Sequence, residues 1–185
     1  MKYIEAPNKH KGKSGVPTLF LGGGISNCKD WQSKLVEKLK DYNVTIYNPR
    51  RKDFDINNPK VSEEQIKWEH KYLHEANILV FYFAQETLCP ITLFELGAAL
   101  ERNIHALNKQ DILVYCEPEY SRKFDVELQT KLAIKNARKL NEEMNEGVTC
   151  DITDDYYDYF VSLHDNYDDF VDELKAIVDI AQVYV

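Results

Sequence analysis

The sequence predicts a doubly wound α/β domain, and three observations predict it. Short continuous apolar runs of strand length recur along the chain. Segments with helical apolar spacing lie between them, and glycine, proline or polar residues stand at the joints. The strand candidates are residues 18–21, 44–47, 77–83 and 111–115, with a fifth at 148–152. None alternates strictly between apolar and polar residues, as expected when both faces of a sheet are covered by helices. Strands alternating with helices imply a parallel sheet with right-handed crossovers.

The helices follow from spacing and end signals. Trp31, Leu35, Val36 and Leu39 repeat at helical intervals. Ser62-Glu63-Glu64-Gln65 reads as a capping box, with Ser62 as N-cap, and Ile66 and Leu73 continue the apolar side. Pro90 suits the first turn of a helix through Leu93, Leu96, Ala99 and Leu100. Residues 121–145 read as a long charged helix, with Phe124, Leu128, Leu132 and Leu140 among its apolar positions. A terminal amphipathic helix should turn Phe170, Leu174, Ile177 and Val178 inward. The expected architecture is a mainly parallel, four- or five-stranded, flavodoxin-like sheet with a helical C-terminal extension. Residues 1–16 are an N-terminal extension, 17–152 the α/β domain, and 153–185 an acidic helical tail on the same domain. In such sheets ligands gather beyond the carboxyl ends of the strands. The loops after Leu21, Tyr47, Phe83 and Tyr115 therefore form the expected site.

Composition bounds the function. The 185 residues are 44% hydrophobic and 29% charged, ordinary for one soluble domain. The net charge is −8, with 14 basic against 10 acidic residues over 1–75 and 9 against 21 over 76–185. That balance argues against a protein that coats polymeric nucleic acid, but not against a pocket for one phosphate. No apolar stretch reaches the roughly 18 residues of a membrane span, and the lysine-rich start lacks the apolar stretch of a signal peptide. A cytoplasmic setting is expected. Cys28, Cys89, Cys116 and Cys150 are widely spaced and the five histidines show no two-ligand pattern, so neither metal nor cofactor is expected.

Several residues are candidates for chemistry. Gly22-Gly23-Gly24 follows the first predicted core strand, either as a tight turn or as backbone that approaches an anion or sugar. Ser26 and Asn27 stand just before a helix and either could cap it. Asn48-Pro49-Arg50-Arg51 ends the second core strand. Its guanidiniums form either a solvated basic loop or a fork for phosphate or carboxylate. Gln65 and Glu69 lie four apart on one helix face, beside Trp68. Glu95 is the single charge in the stretch Ile91 to Leu100. It is either a solvent-facing residue or a carboxylate held for a task. Its place after Pro90 should favour the ionised form through the helix dipole.

Leu19-Phe20-Leu21-Gly22-Gly23-Gly24, Asn48-Pro49-Arg50-Arg51, Gln65-Ile66-Lys67-Trp68-Glu69 and Phe94-Glu95-Leu96-Gly97, in that order, resemble the nucleoside 2-deoxyribosyltransferase-like superfamily over roughly residues 17 to 116. The resemblance implies a flavodoxin-like fold and cleavage of the N-glycosidic bond of a nucleoside or nucleotide. It makes Glu95 the nucleophile that forms a glycosyl-enzyme ester, and Glu69 an acid near the leaving base. Gly22, Gly23, Gly24, Ser26, Asn48, Arg50, Arg51, Gln65 and Trp68 become the substrate-binding set, with the glycine loop facing the sugar and Arg50 available to a 5′-phosphate. Cys89 stands near the position of the transferases' base-contacting Asp, and Phe20 where Tyr is usual. The outcome is a 2-deoxyribosyltransferase or a nucleotide N-hydrolase. A nicotinamide dinucleotide glycohydrolase or a non-catalytic nucleotide sensor are the alternatives. The implied partners are a small nucleoside or nucleotide and further copies of the chain, with the tyrosine-rich acidic tail as a candidate contact.

Overall fold

A computed structural model describes residues 1–55, 57–106, 109–145 and 160–184. Its elements, in chain order, are β1 (Lys2–Glu5), β2 (Thr18–Gly23), α1 (Trp31–Lys38), β3 (Thr45–Asn48), α2 (Pro59–Glu75) and β4 (Ile78–Phe83). They continue with α3 (Pro90–His105), β5 (Asp111–Cys116), α4 (Lys123–Asn145), β6 (Val161–His164) and α5 (Tyr167–Tyr184). The sheet order is β1-β3-β2-β4-β5-β6, and every neighbouring pair is parallel. Without β1, this is the flavodoxin-like winding expected from the pattern. The chain leaves β2 toward β3 on one side and later returns to β4 on the other, so a switch point lies between β2 and β4.

Four features depart from the sequence reading. Residues 2–5, expected only as part of an extension, pair with β3 and lengthen the sheet to six strands. The tail expected to be helical from 153 contributes a strand, Val161–His164, beside β5, while the segment 148–152 lies outside the described residues. Helix α2 begins at Pro59, three residues before the expected cap. Asn58 caps it by accepting from the Lys60 N–H, and Pro59 presets φ at the first helical position. Ser62 is therefore helical, and Gln65 turns inward. Likewise Asp30, rather than Ser26 or Asn27, caps α1 by accepting from the Ser33 N–H at 3.1 Å.

The core has two layers. Leu19, Leu21, Val80, Tyr82, Leu113 and Tyr115 face α1 and α5, meeting Trp31, Leu35, Phe170, Leu174 and Val178. Phe20, Phe81, Phe83 and Val114 face the opposite way, toward Trp68, Tyr72, Leu96, Ala99 and Val126 on α2, α3 and α4. Consecutive strand residues point to opposite faces, and here both faces are apolar, hence the continuous runs in the sequence. Helix α4 buries Val126, Thr130 and Ala137, and leaves Phe124, Leu128, Leu132 and Leu140 exposed. Apolar spacing located this helix correctly; that apolar stripe lies on its outer side.

Candidate active site

A cleft of about 480 Å³ opens at the carboxyl ends of β2 and β4, the switch point of the sheet. Four segments build it: the glycine run ending β2, the loop after β3, the inner side of α2, and the first turns of α3.

The glycines are first of all a steric necessity. A Cβ on Gly23 would fall onto the Trp31 ring and within 2.6 Å of the Tyr82 carbonyl oxygen. One on Gly24 would come within 3.1 Å of both the Cys28 and the Cys89 sulfur. The Gly24 carbonyl accepts from Trp31 Nε1 at 2.9 Å and Gln32 Nε2 at 3.2 Å, so the loop is anchored to α1. Gly22, Gly23, Gly24 and Ser26 all line the cleft.

The two arginines part company. Arg50 donates to the carbonyls of Lys29 at 3.0 Å and Cys28 at 3.2 Å, and to Gln32 Oε1 at 3.1 Å. It clamps the β2–α1 connection and does not line the cleft. Arg51 does, with its guanidinium 3.3 Å from Glu64. Asn48 and Trp68 are also structural. Asn48 Nδ2 donates to the Tyr3 hydroxyl at 2.7 Å, and Asn48 Oδ1 accepts from the Arg50 N–H at 3.0 Å. Trp68 is buried among Phe20, Tyr47 and Tyr72, with Nε1 donating to the Asn8 carbonyl at 2.8 Å. Of the nine expected binding residues, Asn48, Arg50 and Trp68 thus stand outside the cleft wall.

Glu69 and Glu95 share the cleft, from α2 and α3. Gln65, one turn before Glu69, donates from Nε2 to the Pro49 carbonyl and to Glu69 Oε1, both at 2.8 Å. Burial raises the Glu69 carboxyl above its ordinary range, and the Gln65 bond works against that rise. Glu95 has no such donor among the described residues. Burial, and secondarily the charge of Glu69, push it up to about 8. The expected help from the helix dipole does not prevail. Glu95 is the sixth residue of a helix that starts at Pro90, and the dipole acts chiefly within the first turn.

The sequence reading missed the rim. Phe54, Ile66 and Ile91 line the cleft while remaining 38%, 63% and 63% exposed. Phe54 carries a signal in hindsight: it is a lone aromatic in the polar loop Arg51-Lys52-Asp53-Phe54-Asp55. Cys89 also lines the cleft, in the left-handed region at φ 48°, and burial pushes its thiol up to about 11. That thiol is protonated at neutral pH and a poor nucleophile. Among the described residues, no group of three or more His, Cys, Asp or Glu is arranged to hold a metal ion, and no helix is long and apolar enough to cross a membrane.

Fold and cleft define a flavodoxin-like α/β protein with two half-buried carboxyl groups at its switch point. Residues 16–120 match the family model described as nucleoside 2-deoxyribosyltransferase like, and the chain belongs to that family. No curated protein matches the sequence.

Proposed function

We propose that this chain is a cytoplasmic enzyme that cleaves the N-glycosidic bond of a nucleoside or nucleotide through a glycosyl ester on Glu95. The observation that carries the reading is the pair of unlike carboxyls, Glu69 and Glu95, in one cleft of a family member. Double displacement at an anomeric carbon needs one carboxylate and one carboxylic acid, as in retaining glycosidases. A Glu95 carboxylate oxygen bonds to the anomeric carbon while the carbon–nitrogen bond breaks and its electron pair leaves with the base. Glu69 supplies the proton that makes the base a stable leaving group. A second base or a water then attacks the anomeric carbon, the bond to the Glu95 oxygen breaks and the carboxylate is freed, and Glu69 takes the incoming proton, giving transfer or hydrolysis.

The rest of the wall suits the two ends of such a substrate. Phe54, Ile66 and Ile91 offer apolar surface to a planar base, and Arg51 offers a guanidinium to a 5′-phosphate. Arg51 thus takes the role first expected of Arg50. A homo-oligomer is part of the same reading. Phe94 on α3 and Phe124 on α4 are 76% and 73% exposed, and self-association would cover such side chains.

The test is a panel of nucleosides, 5′-monophosphates and nicotinamide dinucleotide, each with and without a second free base. Chromatography follows base release and base exchange in the wild type and in Glu95→Gln. Exchange identifies a transferase, and release without exchange a hydrolase. Release that persists in Glu95→Gln rules out the covalent step on Glu95. Binding without turnover across the panel makes the chain a nucleotide sensor instead.

A further inference from the structure

The Gln65 side chain is only partly used. It is 5% exposed, and its Nε2 serves two oxygens at 2.8 Å, the Pro49 carbonyl and Glu69 Oε1. Turning the amide over would set its own oxygen against both, so the orientation is determined by its neighbours. One hydrogen bond ties α2 to the residue that ends β3, and the other goes to a carboxyl of the cleft. A donor favours the ionised form of the carboxyl it serves. Glu95, across the cleft, receives no donor among the described residues. The other ionisable groups on the wall are Arg51, paired with Glu64, and the protonated Cys89 thiol. Neither hydrogen-bonds or ion-pairs with Glu69 or Glu95.

We infer that Gln65 is a positioning residue: by donating to Glu69 it leaves the single proton of the carboxyl pair on Glu95 in the empty cleft, and makes Glu69 the group that receives this proton when substrate binds. The step is a proton transfer between the two side chains. Glu95 goes from acid to carboxylate, Glu69 from carboxylate to acid, and the net charge of the pair stays at −1. It leaves Glu95 able to attack and Glu69 able to protonate the base, with no external acid or base. This inference rests on the proposed reaction for its catalytic consequence, while the resting position of the proton stands apart from it. The burial-driven rise of Glu95 to about 8 agrees with that resting position.

The test is a titration of the wild-type protein carrying ¹³C at the glutamate carboxyl carbons, with Glu69→Gln and Glu95→Gln used to assign the signals. The expected result is that Glu69 ionises first and Glu95 retains its proton through neutral pH. In Gln65→Leu the Glu69 titration moves up and the Glu95 titration moves down. With an active substrate, the same variant shifts the pH profile of kcat rather than only lowering its height, and KM changes little. Circular dichroism checks that the variant is folded. If it is not, the wild-type order of ionisation alone still decides. The inference is overturned if the wild type keeps its proton on Glu69, or if a folded Gln65→Leu leaves both titrations in place. A protein with no turnover but the expected titration order overturns the proposed reaction and leaves the role of Gln65 intact.

Discussion

The two faces of the sheet solve different problems with the same strands. On the α1/α5 face, aromatic rings close the core. Trp31 stacks on Tyr82 with centroids 4.4 Å apart and planes at 5°, and Tyr115 stacks on Phe170 at 5.4 Å. The polar tips there have partners: Trp31 Nε1 reaches the Gly24 carbonyl, and the Tyr82 hydroxyl donates to Glu117 at 2.6 Å. On the α2/α3 side, the layer is interrupted at the carboxyl edge by a cleft, and polar groups are left wanting. Gln65 Oε1 is buried without a hydrogen-bond partner and Glu95 has no donor, among the described residues. The contrast teaches where this fold keeps its stability and where it leaves room for the proposed chemistry. Unsatisfied groups raise the free energy of the native state, so they are tolerable only where the other face supplies the packing.

The sharpest test of that division is Glu95→Gln. Base release is expected to fall by about four powers of ten or more, since a lost nucleophile removes a bond made only on the reaction path. The urea midpoint should hold or rise, because the swap removes a half-buried ionisable group that the Glu69 charge opposes. The converse variant, Phe170→Ala, empties a fully buried ring site on the other face. It is expected to cost about 3–5 kcal/mol in denaturant unfolding, with the activity of the folded fraction intact.

A smaller effect separates the two arginines. Arg51→Ala should raise KM for a 5′-monophosphate by roughly ten- to a hundredfold and leave the free nucleoside nearly unchanged, measured by initial rates on matched substrates. Gly23 sits where the faces meet, lining the cleft while touching Trp31 and β4. Gly23→Ala is expected to destabilise by about 1–3 kcal/mol through overpacking and to lower activity as well, seen in parallel melts and assays. An alanine there that changed neither would erase the boundary between the two faces.

A further test is on pH. The folded Glu95 carboxyl is raised above its unfolded value of 4.5 to about 8, so the native state binds the extra proton between those limits. Its contribution to stability is therefore present below about 4.5 and is lost as pH rises toward about 8. Urea unfolding of the wild type should weaken over that window, and the Glu95→Gln curve should be flatter.

Much of this was legible in the sequence, and the exceptions are instructive. Glu95 could be picked out because a single carboxyl in an apolar stretch is costly unless it has a task, whatever surrounds it. The core strands were legible because the period of a doubly covered strand is written into its apolar run. The strand at 2–5 was not, since KYIE is short and polar and is held by pairing with β3 rather than by an apolar run. The cap of α2 was misplaced because Ser62-Glu63-Glu64-Gln65 satisfies the capping pattern locally, while Asn58 and Pro59 start the helix earlier.

By itself the sequence determined the four central strands with the helices between them, the winding that follows from their alternation, and the carboxyl groups available to a cleft. Those depend on local periodicity and on residue chemistry, which neighbours in the chain already carry. Only the tertiary structure decided that Arg50 clamps a loop while Arg51 meets the cleft, that Asn48 and Trp68 are framework, and that Gln65 serves Glu69 but not Glu95. Adjacent side chains leave the backbone in different directions. What each one meets is set by elements far away in sequence, so no local pattern could have told them apart.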